Sequence, residues 1–257
     1  MMAKIFCIAN QKGGVGKTTT AINLAAGLAA LKQRVLLVDL DPQGNATMGS
    51  GVDKHQLDHS VYQVLIGHSS IEKSKYPSKS GGYDVIPANR NLAGAEIELV
   101  DFKNRESILR DALQKVADDY DFILIDCPPA LSLLTLNGLC AANGVIVPMQ
   151  CEYFALEGLS DLVNSIKQVH ANLNPDLKVI GLLRVMFDPR TVLQQQVSEQ
   201  LIQHFGDKVF KTIIPRNVRL AEAPSYGIPG VVYDKSSRGA KAYVEFGLEM
   251  IERIKSI

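Results

Sequence analysis

The chain lacks three features that would restrict its function at once: an excess of charge of one sign, a long apolar run and paired cysteines. Lys and Arg together number 27, and Asp and Glu also number 27, so no overall field draws the chain to DNA or to an anionic membrane. Any such contact must come from local patches. No stretch approaches the roughly 20 consecutive apolar residues that span a bilayer, and the N-terminus has no signal-peptide pattern. The sequence therefore predicts a cytoplasmic protein.

The four cysteines give no sign of a disulfide framework. Cys7, Cys127, Cys140 and Cys151 lie in apolar surroundings without CxxC spacing, a pattern typical of reduced, buried thiols in a cytosolic protein. With 257 residues, of which 46% are hydrophobic and 21% charged, the chain can bury a sizeable core. We therefore expect residues 1–257 to form one globular domain.

Short apolar runs alternate with longer segments of helical period. The runs occupy residues 5–9, 35–40, 122–125, 145–149 and 179–185, with further strands expected at 83–87 and 209–214. Helices are predicted at 18–31, 105–116, 156–169, 193–204 and 241–254. This alternation indicates a doubly wound α/β fold, with one mostly parallel sheet and helices on both faces. Residues 49–82, richer in His, Ser, Lys and Gly, are predicted to be a surface insertion with a short helix at 61–66.

A glycine-rich loop, Lys12-Gly13-Gly14-Val15-Gly16-Lys17-Thr18, joins the first predicted strand to the first predicted helix. Its glycines allow successive backbone N–H groups to face one point, and a helix N-terminus favours negative charge there. Lys17 is then placed to reach the β- and γ-phosphates of a nucleotide, and the Thr18 hydroxyl to bind Mg²⁺. A plain turn with solvated lysines is the other interpretation, but the order strand, loop, helix favours phosphate binding. The predicted nucleotide-binding residues of this segment are Gly13, Gly14, Val15, Gly16, Lys17, Thr18 and Thr19.

Three aspartates follow predicted strands at the edge where this loop is expected. Asp39 and Asp41 lie at the end of the second apolar run, and Asp126 follows the run at 122–125. Ligands of open α/β sheets bind at the carboxyl ends of strands, so these side chains should lie near the loop. A single aspartate after a strand more often caps a helix or a turn. Three beside a phosphate loop favour a site that holds Mg²⁺ and orients the water that hydrolyses a triphosphate.

The loop departs from the common pattern GxxxxGK[ST], because Gln11 stands where the first glycine is expected and Lys12 adds a lysine. In this it resembles the deviant Walker A family of P-loop ATPases, which includes the ParA, MinD and nitrogenase iron proteins. Three segments, VDLDPQGN at 38–45, IDCPP at 125–129 and IPRNVRLAEAPS at 214–225, resemble the ParA proteins that partition bacterial chromosomes and plasmids. The resemblance runs from residue 5 to about residue 243 and is weakest over 49–82.

The resemblance to ParA implies a role for each residue of the site. Lys12 is expected to act across a dimer on the partner's nucleotide, Asp41 to orient the attacking water, and Asp126 to hold Mg²⁺ through its water shell. Asp39 is expected to support the metal site indirectly. The implied catalytic residues are Lys12, Lys17 and Asp41, and the implied metal-site residues are Thr18, Asp39 and Asp126. Adenine contacts are expected from Met186, Pro215, Arg216 and Asn217.

The resemblance also implies a function and partners. ATP would close a homodimer that binds nucleoid DNA without sequence preference, and hydrolysis stimulated by a ParB-like partner would release it. The implied DNA contacts are Arg190 and Arg219, which Lys235, Arg238, Lys241 and Lys255 could extend. Isolated surface lysines are more often simply solvated. Because the first strand begins near residue 3, we do not expect an N-terminal helix-turn-helix domain.

Other members of related folds suggest different functions. A MinD-like ATPase binds membranes through a basic amphipathic C-terminal helix, whereas Glu245, Glu249 and Glu252 make the last helix here partly acidic, so no membrane partner is expected. Nitrogenase iron proteins hold an iron–sulfur cluster near the position of Cys127, but Pro128 and Pro129 replace the glycines expected there. An amidotransferase-like or metal-transfer enzyme would need a substrate pocket or a CxxC pair that the sequence does not show.

Overall fold

Parallel strands built from the apolar runs form the centre of the computed structural model, which describes residues 2–255. The strands of this part are β1 (Lys4–Ile8), β2 (Val35–Asp39), β3 (Tyr76–Ser78), β4 (Tyr83–Ile86), β5 (Phe122–Asp126), β6 (Gly144–Met149), β7 (Lys178–Phe187) and β8 (Val209–Pro215). They form one sheet in the order β3-β4-β2-β5-β1-β6-β7-β8. The edge strand β3 pairs antiparallel with β4, and the other pairs are parallel. The predicted α/β class is confirmed.

Helices cover both faces of the sheet. They are α1 (Lys17–Ala30), α2 (Asn45–Gly49), α3 (Val61–Leu65), α4 (Leu92–Glu98), α5 (Ile108–Gln114), α6 (Leu133–Ala141), α7 (Ala155–Asn172), α8 (Val192–Phe205), α9 (Val218–Glu222), α10 (Gly230–Tyr233) and α11 (Arg238–Lys255). One apolar cluster joins α1, α2, α9, α10 and α11 to one face, and a second joins α3 to α8 to the other. Between residues 2 and 255, no helix is long and apolar enough to cross a bilayer.

Close packing between α1 and α11 fixes the helix that carries the glycine-rich loop. A Cβ atom added at Gly27 would lie 3.0 Å from the carbonyl oxygen of Tyr243, so a larger residue there would push the two helices apart. The Tyr243 hydroxyl also lies 3.0 Å from Thr20 Oγ1 in the first turns of α1. Leu24 and Leu28 of the same helix are completely buried. The direction in which α1 leaves the loop is therefore set by the core.

The strands and long helices predicted from the sequence are present, but five helices and one strand were not predicted. These are α2, α4, α6, α9, α10 and β3, most of them four to seven residues long. Elements of that length show too few turns for a hydrophobic period to be recognised. The longer α6 is buried along most of its length, so its sequence lacks a polar face.

Residues 49–82 are more than the surface insertion that the sequence predicts. They supply the edge strand β3 and the short helix α3, which begins and ends within a residue of the predicted span. Val61, Leu65 and Ile71 are buried in the same cluster as β1 and β5. Largely polar stretches at 53–59 and 67–70, which are exposed or half-buried, lie beside these buried residues. The composition of the segment therefore does not reveal that it packs against the core. The segment is thus packed into the fold.

Replacing Leu65 tests whether this segment belongs to the core. Leu65 is completely buried, so Leu65→Ala should lower the free energy of unfolding by about 2–5 kcal/mol through lost transfer energy and a cavity. Urea unfolding followed by circular dichroism measures this change. Leu248→Ala, at a position 47% exposed on α11, is the control and should cost less than about 1 kcal/mol. Equal small costs at both positions would contradict the packing described here.

Candidate functional site

The predicted site residues converge where the carboxyl ends of β1, β2 and β5 meet. β5 lies between the other two strands, and its last residue, Asp126, pairs in register with Asp39 of β2 and with Ile8 of β1. Neighbouring strands are about 4.8 Å apart, so the loop that follows β1 and the two carboxylates are brought together by the sheet alone. The structure places the phosphate loop and the three predicted aspartates at this one edge.

The glycine-rich loop has the backbone conformation that its sequence predicts. Gly14 and Gly16 have φ angles of 73° and 76°, in the left-handed region that glycine adopts without strain, and Gly16 caps the N-terminus of α1. Lys17 curls back over the loop, and its Nζ donates a hydrogen bond of 2.9 Å to the carbonyl oxygen of Lys12. Burial lowers the pKa of Lys17, while the charges of Asp126 and Asp41 oppose that shift. The ammonium group thus lies over the concave side of the loop.

Thr18 and Asp126 form a hard-oxygen pair beside the loop. Thr18 Oγ1 donates a hydrogen bond of 2.8 Å to Asp126 Oδ2. The other oxygen, Asp126 Oδ1, is buried and has no hydrogen-bond partner among residues 2–255. A buried, unpartnered carboxylate oxygen is costly, and burial together with the charge of Asp39 raises the pKa of Asp126 well above its ordinary value. These residues fit Mg²⁺, because the ion binds carboxylate and hydroxyl oxygens and would compensate the buried charge.

Asp39 is engaged by the protein itself. Its Oδ2 accepts hydrogen bonds from the backbone N–H and the hydroxyl of Thr47, at 2.8 and 2.7 Å, and its Oδ1 accepts one of 3.1 Å from the Asp41 N–H. Burial still raises the pKa of Asp39 to about 6, although these hydrogen bonds oppose the shift. With both oxygens occupied, Asp39 is placed to support the site indirectly rather than to contact an ion.

Asp41 is half-buried at the mouth of the site. Its Oδ1 accepts a hydrogen bond of 2.9 Å from the Gln43 N–H, which fixes the turn after β2. Its other oxygen makes no hydrogen bond within the described part of the chain. A carboxylate held by one oxygen and open at the other can accept a proton or a hydrogen bond from water.

Lys12, the additional lysine of the glycine-rich loop, is paired with a carboxylate that lies outside the loop. Its ammonium group forms an ion pair with Glu152, which follows β6, and both side chains are about half exposed, at 50% and 47%. The Lys12 N–H donates to Asn10 Oδ1 at 3.0 Å, which holds the loop backbone. An exposed pair of this kind contributes about 0–1 kcal/mol, so it can exchange for a stronger anionic partner.

A cavity of about 290 Å³ opens beside the loop at the end of β7. Met186 lies on its wall with a positive φ of 51°, a strained conformation for a residue with a side chain. Gln150 donates hydrogen bonds to Met186 Sδ at 3.1 Å and to the Gly14 carbonyl oxygen at 3.2 Å, linking cavity and loop. The lining is mostly apolar and suits a flat base. Four lining residues, Met186, Pro215, Arg216 and Asn217, are the predicted adenine contacts, and Gly16 and Thr19 connect them to the loop.

Both predicted DNA-binding arginines are exposed and paired with carboxylates. Arg190 donates to both oxygens of Asp188 at 2.9 and 2.7 Å, and its side chain is 88% exposed. Arg219, on α9, lies 3.0 Å from Glu222 and 3.6 Å from Asp234. Surface pairs are weak, so phosphate groups can replace these carboxylates.

Sequence reasoning missed four side chains that organise the site. Thr47 anchors Asp39, Glu152 pairs with Lys12, Gln150 joins loop and cavity, and Tyr243 lines the cavity. Gln150 and Glu152 directly follow β6, so the carboxyl-end rule could have found them. Thr47 and Tyr243 carry no such signal, since each lies within a helix. All four cysteines, Cys127 included, are buried free thiols, as predicted.

Comparison with known proteins agrees with this geometry. A family model described as an AAA domain matches residues 3–179. The chain is 51% identical over 252 residues to the chromosome partitioning protein ParA of Myxococcus xanthus, covering 98% of this chain and 89% of that protein. It is 52% identical over 249 residues to the sporulation initiation inhibitor protein Soj of Bacillus subtilis, covering 97% and 98%.

A solved structure extends the comparison to the fold. Cobyrinic acid a,c-diamide synthase from Mycobacterium smegmatis, with bound ADP and magnesium, is 40% identical, has a TM-score of 0.87 and covers 99% of this chain and 96% of its own. Sheet order, loop and strand-end carboxylates define a P-loop ATPase domain. Within that class, the chain belongs to the ParA and Soj family of chromosome-partitioning ATPases.

Removing the buried charge of Asp126 should change how stability depends on pH. Because its folded-state pKa is raised, the metal-free native state binds more protons than the unfolded state above about pH 4, and raising the pH favours unfolding. Wild-type protein in EDTA should therefore lose stability relative to Asp126→Asn as the pH rises above about 4. Urea unfolding at several pH values measures the difference.

Asp121 supplies a control of opposite sign. The Arg34 guanidinium, 2.8 Å away, lowers the pKa of Asp121, so this group stabilises the native state above about pH 4 and the effect is lost as the pH falls. Asp121→Asn should therefore be less stable than wild type near neutrality and equal to it in acid. If the difference in free energy of unfolding between wild type and Asp126→Asn does not vary with pH, Asp126 is not a buried carboxylate without compensation.

Proposed function

We propose that the chain is a Mg²⁺-dependent ATPase that segregates chromosomes or plasmids by switching between a DNA-bound ATP dimer and a DNA-free state. The observation that carries this proposal is the convergence of Lys17, Thr18, Asp41 and Asp126 at one sheet edge, beside a base-sized cavity. Relatives that are named as chromosome-partitioning proteins and that match nearly the whole chain support the biological role. The Mycobacterium smegmatis structure, which binds ADP and magnesium, supports the choice of ligands.

Hydrolysis at this site would depend on positioning and charge. The loop N–H groups and Lys17 would hold the phosphates, and Thr18 and Asp126 would hold Mg²⁺; the ion would supply positive charge to the transferred phosphoryl group. Asp41 accepts a hydrogen bond from the attacking water through its open oxygen. Asp39 holds α2, which follows β2, in place through its two hydrogen bonds with Thr47. The residues assigned to the phosphates, the metal and the water, Lys17, Thr18, Asp41 and Asp126, include no arginine. Hydrolysis of ATP without an activator should therefore be slow.

Lys12 is the part of the site that one chain cannot use on its own nucleotide. In the single chain its ammonium group is paired with Glu152, a residue outside the loop. In a face-to-face homodimer the same side chain would reach the triphosphate of the second copy, exchanging one carboxylate for a group of higher charge. Dimer formation would then require the γ-phosphate, which couples assembly to ATP.

DNA binding would follow from the same dimer. Arg190 follows the end of β7 and Arg219 lies in α9. Met186 of β7 and Leu220 of α9 line the base cavity, so the same two elements would carry the nucleotide contacts and the DNA contacts. Two copies double the number of arginines that replace counterions on duplex DNA, and the affinity would be non-specific and salt-sensitive. We place the protein on the nucleoid in the cytoplasm, with a ParB-like activator that triggers release.

Membrane binding is the alternative, and α11 argues against it. A lipid-binding C-terminal helix keeps its apolar face free, whereas Tyr243, Phe246 and Met250 of α11 are buried in the core. Glu249 accepts hydrogen bonds from the N–H groups of Lys211 and Thr212 and is also engaged by the protein. Ser256 and Ile257 lie outside the described residues.

Nucleotide-dependent DNA binding tests the proposal. Random-sequence duplex DNA should be bound with Mg²⁺-ATP and not with ADP, and fluorescence anisotropy over a salt series should give a steep slope of log K against log salt. Arg219→Ala should reduce the magnitude of that slope by about 2, because a dimer presents two copies and each lost phosphate contact is worth about 0.9.

Arg34→Ala is the matched control. Arg34 is an exposed arginine paired with Asp121, but it precedes β2 and therefore lies at the opposite edge of the sheet. Its loss should leave the slope unchanged. Equal DNA binding with ATP and ADP, or none with either, would overturn the DNA role; in the second case anionic vesicles become the surface to test.

A further inference from the structure

A guanidinium group that the proposed reaction does not use lies buried between β7 and α8. Arg184 is only 6% exposed. Its Nη1 donates a hydrogen bond of 2.9 Å to Ser198 Oγ, and its Nη2 donates to the carbonyl oxygens of Phe210 at 2.8 Å and Lys211 at 3.3 Å. Its Nε has no hydrogen-bond partner among residues 2–255. A buried cation without a carboxylate partner is costly, so these hydrogen bonds to backbone carbonyls must offset that cost.

The two carbonyls belong to a stretch of β8 that is out of register with β7. Leu182 pairs with Val209, and Arg184 pairs with Ile213, so β8 advances four residues while β7 advances two. We call the irregular stretch at 210–212 the β8 bulge. Backbone groups in a bulge lose their partners in the sheet and need others. Arg184 supplies hydrogen-bond donors to two carbonyls of the β8 bulge.

Glu249 of α11 satisfies the N–H groups of the same bulge. Its two carboxylate oxygens accept hydrogen bonds from the Lys211 N–H at 2.8 Å and from the Thr212 N–H at 2.9 Å. Arg253, one turn further along α11, lies 3.4 Å from this carboxylate, and both side chains are largely buried. The helices α8 and α11 cover opposite faces of the sheet. The β8 bulge is therefore held from both faces, its carbonyls by Arg184 and its N–H groups by Glu249.

The base cavity begins where this bulge ends. On β7, Val185 and Met186 directly follow Arg184 and line the cavity. On β8, the lining begins at Ile214, just after the bulge, and continues to Asn217. Successive side chains of a strand point to opposite faces, so a slip of one residue in the bulge would turn a different set of side chains toward the cavity. The β8 bulge thus determines which atoms of β8 can contact a base.

A second irregularity lies on the β7 side of the cavity. Arg184 pairs with Ile213 and Phe187 pairs with Pro215, so here β7 advances three residues while β8 advances two. Met186 lies in this stretch and has a φ of 51°. A side-chain-bearing residue keeps such a conformation only where the surrounding structure enforces it. Arg184 is the residue at which this stretch begins, and its guanidinium group fixes it to β8.

We propose that Arg184 and Glu249 are positioning residues for base recognition: by holding the β8 bulge from both faces of the sheet, they set the register of the two strand ends that form the base cavity. Neither residue lines the cavity, so each acts through the backbone that it holds. Bulges beside active sites commonly redirect side chains in this way. This inference rests on the proposed function, because it takes the cavity to hold the adenine of ATP.

The test compares two ligands on the full chain. A non-hydrolysable ATP analogue occupies loop and cavity, whereas inorganic tripolyphosphate occupies the loop alone, and isothermal titration calorimetry with Mg²⁺ gives both Kd values. R184M removes the guanidinium group and keeps a long side chain; E249Q replaces one of the two accepting oxygens by an NH₂ donor. In each variant the Kd of the analogue should rise about threefold to tenfold, as expected for the loss of about one hydrogen bond, and the Kd of tripolyphosphate should stay within about twofold.

Two further variants separate positioning from general destabilisation. Asn174 is also buried, and its side chain donates hydrogen bonds of 2.9 and 2.8 Å to the carbonyl oxygens of Leu139 and Ala142. It precedes β7 and therefore lies at the edge of the sheet opposite the cavity, so N174L should lower the urea midpoint and leave both Kd values unchanged. R184K keeps a cation with three donors and should recover part of the affinity for the analogue that R184M loses.

The outcomes distinguish this inference from the function on which it rests. If wild type binds neither ligand, the proposed ATPase function fails, and the inference with it. If R184M and E249Q bind the analogue as wild type does, or lose affinity for both ligands equally, the two residues support the fold without positioning the base contacts, and only the inference is wrong. If R184M does not fold, E249Q and R184K decide the question by the same comparison of ligands.

Discussion

Two carboxylates buried side by side, Asp39 and Asp126, are the constraint around which the rest of the site is arranged. They end adjacent parallel strands and face each other in register, so each raises the free energy of ionising the other. Thr47 and the Asp41 N–H compensate Asp39, and Thr18 compensates one oxygen of Asp126. The remaining Asp126 oxygen is left without a partner. This unpartnered oxygen is the observation on which we propose that a cation binds here.

Short, tightly packed elements connect the nucleotide site at this edge of the sheet to the exposed surface of α9. α9 lines the base cavity with Leu220 and carries Arg219 on its exposed side. Cβ atoms added at Gly230 and Gly239 would lie 2.5 and 2.6 Å from the Leu220 side chain, so α9 has no freedom to shift without its neighbours. The end of β2 is joined to the segment that precedes α4 by buried hydrogen bonds that link Asp39, Thr47 and Ala88. Occupancy of the site therefore has a direct structural route to Arg219, which we assign to DNA binding.

Much of this arrangement could be predicted from the sequence, and the parts that could not share a physical cause. The loop at 12–18 and the aspartates at 39 and 126 are local patterns whose meeting point is dictated by parallel strands, so strand prediction alone brings them together. The long helices are predicted by the helical spacing of their apolar residues. Tyr243 was missed because its role arises only from contact between distant segments, and Thr47 because it lies in a short helix that the sequence does not predict.

The sequence also does not predict which apolar side chains of α4, and of the turn after it, are exposed. In the sequence, Leu92, Ile97, Leu99 and Val100 lie in one short segment that Glu96 and Glu98 interrupt, and its pattern does not reveal which apolar side chains face the core. The structure divides them into a buried and an exposed set. In residues 49–82, polar residues around Val61, Leu65 and Ile71 likewise concealed that these three side chains are buried. Side-chain direction in short elements is set by tertiary packing, which local sequence does not encode.

The most direct test of the account is whether Mg²⁺ strengthens nucleotide binding through the Thr18 and Asp126 pair. Isothermal titration calorimetry of a non-hydrolysable ATP analogue, with Mg²⁺ and with EDTA, should show at least about a tenfold Mg²⁺ effect for wild type, or about 1.4 kcal/mol. Thr18→Val and Asp126→Asn should keep the affinity measured in EDTA and lose the Mg²⁺ effect. An undiminished Mg²⁺ effect in both variants would show that the ion is held elsewhere, and the buried carboxylates would then need another explanation.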